Sequence, residues 1–543
     1  MAEKHWKIIS ASRFPWEQEA LDFIHAGFPA QDNYVAWSNF EFIADDGSIN
    51  EVDTLVACPQ GVFLIEIKSK PGTVSGDANH WVWEHEGKRH SDESPLILAN
   101  RKCKRLKSLL ARQRAFRSIE CPFIEPLAFL SHSEVRLQLQ GIAMSRVCLR
   151  DQPTALGKSE RPGILAAIRR RECPGLPQRN LPVVNRPAIR AFAQAMEQAG
   201  IRPRQDQRRV GDFVLDRVIF ESPTGAYQDW QAHHVTHSST RRMARIYQVA
   251  RLAGEEERAI LRNAARREFQ VFELLDHPGI LRADPPTDCE FGPVLFLRSE
   301  PDAQRLDQFM QLSGPQLVVD HRLAILRQIA DTIRYAHNKH VVHRSLSPQC
   351  IYVRKQPDGT LAVQICNWQK RARLMSSTTT QGTRVSASLH AEQLVEDVSL
   401  AYLALEALTG GADGGYAHDI FSLGAIAYLL FTGKPPAASQ AELQEKLRAV
   451  GGLDIKESLD GAVEALVDLV QFSANGDVSL RDDIDQFLAR LDEVEEQLTH
   501  PEADCINPLR ASVGSQLKNG FKVIRLLGKG ATALVLLVAR ASK

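Results

Sequence analysis

The sequence is short of the features that would place it in a membrane, an oxidising compartment or a global complex with a polyanion. No run of about 18 uncharged apolar residues occurs anywhere in it, which excludes a spanning helix. The opening stretch MAEKHWKIISASRFPW lacks the apolar core of a signal peptide. An excess of charge of one sign is also missing: 66 Lys and Arg balance 66 Asp and Glu, so any site for a polyanion must be local. The nine cysteines are scattered, odd in number and without a C-x-x-C pair, which argues against a disulfide framework and leaves no zinc signature. At 543 residues with an ordinary apolar fraction, the chain has room for roughly three globular domains. The expectation is a soluble, cytoplasmic, multidomain chain without a membrane partner.

What is present is organised around Asn50–Gly72, NEVDTLVACPQGVFLIEIKSKPG. Two β-branched apolar runs flank a Pro-Gln-Gly break, so the spacing predicts an antiparallel hairpin. Residues two apart share a face, which groups Glu51 with Asp53 on one arm and Glu66 with Lys68 on the other. If Ala57 pairs with Val62, Asp53 lies opposite Glu66, and three carboxylates and one ammonium occupy one patch. Crowded carboxylates repel unless a cation sits between them. A hard ion such as Mg²⁺ or Mn²⁺ fits, with oxygens from Asp53 and Glu66, a backbone carbonyl from Ile67, and water. Lys68 would then hold an attacking water or neutralise charge developing on a phosphoryl oxygen. The bland alternative is an amphipathic hairpin with a solvated charged face, because alternation alone yields such triplets.

The region from Ser12 to about Arg150 resembles the nuclease-related domain (NERD) family. The residues that carry the resemblance are FPWEQEALDFI, WSNFEFIADDGSINEVD, the E-I-K triplet followed by Pro71-Gly72, Trp81 and Trp83, and SPLILANRKCKRLKSLL. It implies a PD-(D/E)xK nuclease-like sandwich over residues 1–150, acting on nucleic acid and on DNA foremost. It also implies that an acid from the first helix joins Asp53, Glu66 and Lys68. Glu17 matches best, since Ala20, Leu21 and Ile24 share its helical face, with Glu19 as the alternative. The pattern predicts a helix over Pro15–Ala26 and strands at Tyr34–Ile43, Glu51–Ala57, Val62–Lys68 and Ile124–Ser131. The basic run from Asn100 to Arg117 is either a phosphate-tracking surface or a solvated face. Residues 151–209 turn Pro- and Arg-rich and read as a partly helical connector, with helical periodicity at Ile164–Arg171 and Ala188–Ala199.

Residues 210–498 resemble a two-lobed Ser/Thr protein kinase whose reactive positions are replaced. REFQVFELLDHPGIL places Glu268 where the lysine-pairing glutamate belongs, HRSLSPQCIYV stands for the catalytic loop, and DIFSLGAIAYLLFTGKPP for the helix that anchors the large lobe. Ser345 replaces the base, Ser347 the loop lysine, Cys350 the metal-binding asparagine, and Asn367-Trp368-Gln369 the D-F-G triplet. Only Gly225 remains of a glycine-rich loop, and Arg245 or Tyr247 takes the place of the phosphate-pairing lysine. Phosphoryl transfer depends on these parts, so this region is read as a pseudokinase in which His343, Arg344 and Asp419 persist for structure.

After a linker at 499–517, residues 518–543 run strand, Gly528-Lys529-Gly530-Ala531, strand. This pattern opens a kinase: backbone N–H groups at Gly528, Gly530 and Ala531 would cover ATP phosphates. The chain is therefore expected to be the N-terminal piece of a longer protein, with ATP used only by the downstream kinase. The whole order resembles the PglW-like kinases of bacterial phage-defence systems of the BREX and Pgl type. That resemblance implies other defence-system proteins as partners, with a homo-oligomer as a further possibility. The fold class expected is α/β and α+β multidomain.

Overall fold

The computed structural model describes residues 5–151, 161–170, 173, 175–177, 183–205, 208–222, 226–251, 253–300, 302–368, 398–408, 415–499, 511–517, 521–529 and 534–540. The chain divides into two compact units. One comprises Met1–Pro315, Pro348–Gln356 and Gln364–Val398; the other comprises Gln316–Ser347, Pro357–Val363 and Ser399–Lys543.

The first unit begins with strand β1 (Trp6–Ile8) and helix α1 (Pro15–Ala26), whose Pro15 suits a first turn where no N–H is needed. Strands β2 (Val35–Ile43), β3 (Ile49–Cys58) and β4 (Gly61–Lys68) follow, then β5 (Gly72–Gly76), β6 (His80–His85) and β7 (Lys88–Glu93), three of the four strands of a small second sheet. Helix α2 (Pro95–Ala111), β8 (Ile124–Leu130), β9 (Val135–Leu139) and β10 (Val147–Cys148) come next. The main sheet runs β1-β2-β3-β4-β8-β10. In the hairpin Ala57 pairs with Val62 and Cys58 with Gly61, which leaves Pro59-Gln60 as a two-residue turn.

The described residues of 151–209, expected as a connector, pack into this fold. Helix α3 (Ile164–Arg169) packs with α1 against Val56, Phe63 and Ile65 on one face of the sheet. Helix α4 (Arg186–Gln198) packs with α2 against Trp37, Phe40, Leu55 and Leu64 on the other. Strand β11 (Arg202–Pro203) pairs with Phe40 and Glu41 of β2. Both layers are therefore closed by helices from the Pro- and Arg-rich stretch. Pro187 sits in the first turn of α4 and Pro203 at the end of β11, where the missing N–H does no harm.

The pleat of β2 is interrupted at Asn39, which adopts φ 52°. Trp37 faces the α2–α4 core, and beyond the interruption Phe40 and Phe42 do so instead of Asn39 and Glu41. Glu41 and its partner Glu51 are thereby kept out of that core.

The small lobe of the kinase-like region is an antiparallel sheet of β12 (Arg208–Val210), β13 (Phe213–Glu221), β14 (Tyr227–His234), β15 (Arg241–Tyr247), β16 (Thr287–Cys289) and β17 (Gly292–Leu297), in the order β12-β13-β14-β15-β17-β16. Helix α5 (Glu255–Leu274) packs on it. Ile49 of β3 joins Trp230, Ile246 and Phe296 in the core of this lobe. The β2–β3 turn comes so close that a Cβ on Gly47 would lie 2.0 Å from the Val249 carbonyl oxygen, and Gly47 itself has φ 85°. Only glycine satisfies both conditions. Helix α6 (Leu306–Ser313) packs on β6 and β7, where His80 meets Asp307 at 3.1 Å and Asp307 pairs with Arg305.

In the second unit, helix α7 (Val319–Asn338) and the helix Ala417–Thr432 form the centre, with Glu464–Ser473 and Ile484–Thr499 packed around them. Ala417–Thr432 is buried continuously from His418 to Leu430, so its apolar residues need no periodicity. At the C-terminal end, Phe521–Lys529 pairs with Leu534–Arg540, and Ile524, Leu526, Leu527, Val535 and Leu537 stay exposed. Gly528 is paired with Val535 in this hairpin, whereas Gly530 and Ala531 lie outside the described residues. Among the described residues no helix is long and apolar enough to cross a membrane.

Candidate active site

The β3–β4 ladder ends at Thr54–Ile65, so the next residues, Asp53 and Glu66, stand where the two strands part. Asp53 bridges the gap: its Oδ2 accepts the Ile67 N–H at 2.7 Å. Ile67, expected to offer its carbonyl to a cation, here donates its N–H and so ties Asp53 to β4 between Glu66 and Lys68. Alternation on β4 sends Ile65 and Ile67 into the α1–α3 core and turns Glu66 and Lys68 the other way, towards α2.

Two cation-bonded groups meet at Asp53. On one side Lys68 Nζ lies 3.2 Å from Glu66 Oε1, and Lys102 Nζ of α2 lies 2.7 Å from Glu66 Oε2. On the other side the guanidinium of Arg204, which follows β11, reaches Glu17 Oε1 at 2.9 Å, Asn39 Oδ1 at 2.9 Å, Glu51 Oε2 at 2.6 Å and Asp53 Oδ1 at 3.4 Å. Glu17 faces this cluster from α1. Glu19 points away and pairs with Arg150.

The charges are unequally shared. Burial pushes the Asp53 carboxyl up, the charges of Glu66 and Glu17 add to this, and it reaches about 7 despite the pull of Arg204 and Lys102. Burial acts on Glu66 in the same sense, but Lys102 and Lys68 outweigh it and hold that carboxyl at about 2. Glu51 is likewise held at about 2, against its burial, by Arg204 and Arg208. Burial lowers Lys68, yet Glu66 and Asp53 carry it above its ordinary value.

These donors suit a hard cation in chemistry, since Mg²⁺ takes one or two carboxylates and keeps water for the rest of its shell. In this arrangement, however, chain cations already hold the place. Both Glu66 oxygens are engaged, Asp53 Oδ1 faces Arg204, and among the described residues no three His, Cys, Asp or Glu side chains are gathered so as to hold a metal. The sequence reading missed Arg204 because it lies 151 residues from Asp53. Lys102 stood within the basic run, but nothing local paired it with Glu66. Most of that run is internally engaged: Arg101 pairs with Glu93, Arg105 with Asp46 and Glu221, and Arg112 with Asp45. Lys104, Arg114 and Arg117 remain exposed.

In the kinase-like region Arg245 of β15, one of the two residues expected in place of the lysine, is only 1% exposed. It bonds Asp229 through two nitrogens at 2.8 and 2.9 Å, Glu268 of α5 at 2.8 Å and Asn367 at 2.9 Å. The Tyr227 ring lies 4.0 Å from its guanidinium carbon. Tyr247, the alternative expected for the lysine position, donates its hydroxyl to Glu268. Burial pushes the Glu268 carboxyl up, against the pull of Arg245. Gly225 and Gln369 lie outside the described residues. In the second unit the buried Asp419 accepts the backbone N–H of His343 at 2.8 Å and of Arg344 at 2.7 Å, and His337 at 2.9 Å. Those residues hold the loop to the helix Ala417–Thr432. Ser347 and, in the first unit, Cys350 are buried.

The family model for the nuclease-related domain matches residues 12–131, and the model for the protein kinase domain matches residues 232–493. The probable kinase PglW of Streptomyces coelicolor is 32% identical over 573 residues, a match spanning 99% of this chain. The chain is PglW-like, carrying a nuclease-related domain followed by a protein kinase domain. This PglW-like chain spans 35% of the length of that relative. Its kinase-like part is also similar to Aurora kinase A-B of Xenopus laevis, at 26% identity over 37% of this chain and 44% of that protein. The serine/threonine-protein kinase PrkC of Bacillus subtilis is 27% identical over 34% of this chain and 26% of its own length. The solved kinase domain of Mycobacterium tuberculosis PknI is 18% identical, with a TM-score of 0.38 over 54% of this chain and 99% of that one.

Proposed function

We propose that the nuclease-related domain is a phosphodiester-hydrolysing module acting on nucleic acid, DNA foremost, and that the kinase-like domain beside it transfers no phosphoryl group. The kinase-like domain would regulate or scaffold a Ser/Thr kinase further along the protein, in the cytoplasm of a bacterium defending itself against phage. The observation that carries the hydrolytic reading is that Asp53, fixed to the Ile67 N–H, meets the charge of Glu66 beside Lys68, with Glu17 at its other oxygen's partner. A bound Mg²⁺ or Mn²⁺ supplies Lewis acidity and an activated water. Asp53 and Glu66 would hold it, Lys68 would orient the water or meet the developing charge, and Glu17 would steady the cluster.

A polymer of bases is favoured over a small phosphoester by the start of α1. There Trp16, 58% exposed, stacks on Phe14 at 5.2 Å, one residue from Glu17. Exposed aromatic faces of this kind accept unpaired bases. For the kinase-like domain, the buried Arg245 network puts a guanidinium and its tyrosine cover where a lysine would meet phosphates, and Ser345 and Asn367 bring neither base nor metal-binding acid.

The test is incubation of the 543-residue chain with plasmid and single-stranded DNA in Mg²⁺ and Mn²⁺. Cleavage that disappears in Glu66→Ala and Lys68→Ala is expected; DNA left intact under every ion both by this chain and by its Arg204→Gln variant would refute hydrolysis. The second reading, a non-catalytic DNA- or partner-binding module, draws on the neutralisation of every site carboxylate by Arg204, Lys68 and Lys102.

A further inference from the structure

Arg204 is a feature of the candidate site that the proposed hydrolytic centre does not use. Its guanidinium spreads a single charge over acids from α1 and β3, touching Glu17, Glu51 and Asp53 as well as the Asn39 carbonyl. Asp53 has one oxygen committed to the Ile67 N–H, so an incoming cation would use Oδ1, the oxygen that faces Arg204. Two cations competing for one carboxylate oxygen in a buried site exclude each other, because each is held by the same negative charge.

The arginine is itself held from the kinase-like side. Arg208 of β12 donates to Glu51 Oε1 at 2.8 Å, while Arg204 holds Glu51 Oε2, so a single carboxylate links the two. Arg208 also bonds Glu41, and its guanidinium carbon lies 5.1 Å from the ring of Trp230 in the small-lobe core. A continuous set of contacts thus runs from Trp230 through Arg208, Glu51 and Arg204 to Asp53.

We propose that Arg204 is an intramolecular inhibitor of the nuclease-related domain: it occupies the cation position at Asp53 and must withdraw before a divalent ion binds. Its tie through Glu51 and Arg208 makes that withdrawal responsive to the small lobe. The proposal rests on the hydrolytic reading above and adds how the site is kept off.

The experiment counts free Mn²⁺ by electron paramagnetic resonance during titration of the full 543-residue chain, as wild type, Arg204→Gln, Glu51→Gln and Arg204→Gln/Asp53→Asn, with DNA cleavage assayed in parallel. Arg204→Gln is expected to bind Mn²⁺ about 10- to 100-fold more tightly than wild type, the gain from removing a competitor that leaves only a few per cent of chains open. The added Asp53→Asn substitution should abolish that gain. Glu51→Gln leaves Asp53, Glu66 and Arg204 in place but loosens the arginine, and it should gain in the same direction; it decides the matter if Arg204→Gln does not fold. Wild type binding Mn²⁺ as tightly as both variants, or neither variant binding, overturns the inhibitor. Binding in Arg204→Gln without cleavage keeps the inhibitor and removes hydrolysis. Equal metal-dependent cleavage by wild type and the variants keeps hydrolysis and removes the inhibitor.

Discussion

Replacing Arg245 by methionine would remove the guanidinium and leave its apolar stem, so it isolates the charge at the centre of the kinase-like small lobe. The four hydrogen bonds it makes would be lost, and Asp229 and Glu268, each only 2% exposed at the side chain, would face no cation. Breaking a buried ion pair by removing one partner costs about 3–5 kcal/mol, because the remaining charge is left unsolvated. Asp229 has both oxygens on Arg245, whereas Glu268 keeps the Tyr247 hydroxyl, so most of the loss should come from Asp229. For a domain of this size that corresponds to a melting temperature lower by about 6–20 °C. Denaturant unfolding combined with hydrogen exchange in the peptides covering β15 and α5 would read it locally. Neutralising the partners as well, in Arg245→Met/Asp229→Asn/Glu268→Gln, should recover most of the stability, since a whole buried ionic set can be exchanged for neutral groups at little cost. A loss below about 1 kcal/mol in the single variant would show that water reaches these carboxylates, and the closed network would be refuted.

Further outcomes follow from the same structure. Millimolar ATP with Mg²⁺ should leave the melting temperature of the chain unchanged, because a ligand stabilises only a native state that binds it; a clear rise would contradict the non-catalytic reading of residues 210–498. His80 is buried, which lowers its pKa, but Asp307 outweighs burial and raises it, with Arg305 opposing and Asp77 adding. A raised histidine contributes stability below its unfolded value of about 6.5 and loses it as pH climbs through the folded value. The stability gap between wild type and His80→Gln should therefore narrow as pH rises above about 6.5, and a gap that widens would reverse the assignment. Gly47→Ala combines a positive φ with a Cβ 2.0 Å from the Val249 carbonyl oxygen, and should destabilise the first unit by about 2 kcal/mol or more in urea unfolding. Glu19→Ala, on the outer side of α1, should leave DNA cleavage unchanged while Glu17→Ala reduces it, which a steady-state assay would separate.

Local pattern reached a long way in this chain. The alternation in VAC-PQ-GVF set the hairpin and its register, and Pro15 with the apolar spacing of Ala20, Leu21 and Ile24 set α1 and turned Glu17 inward. It reached less far at Asn39, where a single residue at φ 52° interrupts the pleat: asparagine tolerates that conformation, but nothing in the surrounding alternation calls for it. The proline-rich stretch was legible as two helices, but not as two layers of the sandwich. Its apolar residues carry no mark of which sheet face they will cover.

Contiguous residues under short-range rules were enough for the order of domains and for the hairpin that sets Asp53 near Glu66. What neutralises those acids emerged from packing alone. Arg204 and Lys102 come from elements far along the chain, and charge is balanced by proximity in space, which carries no period and leaves no trace in neighbouring residues. The same holds for Arg245, which gains its meaning from Asp229, Glu268 and Asn367 once three separate segments have packed around it.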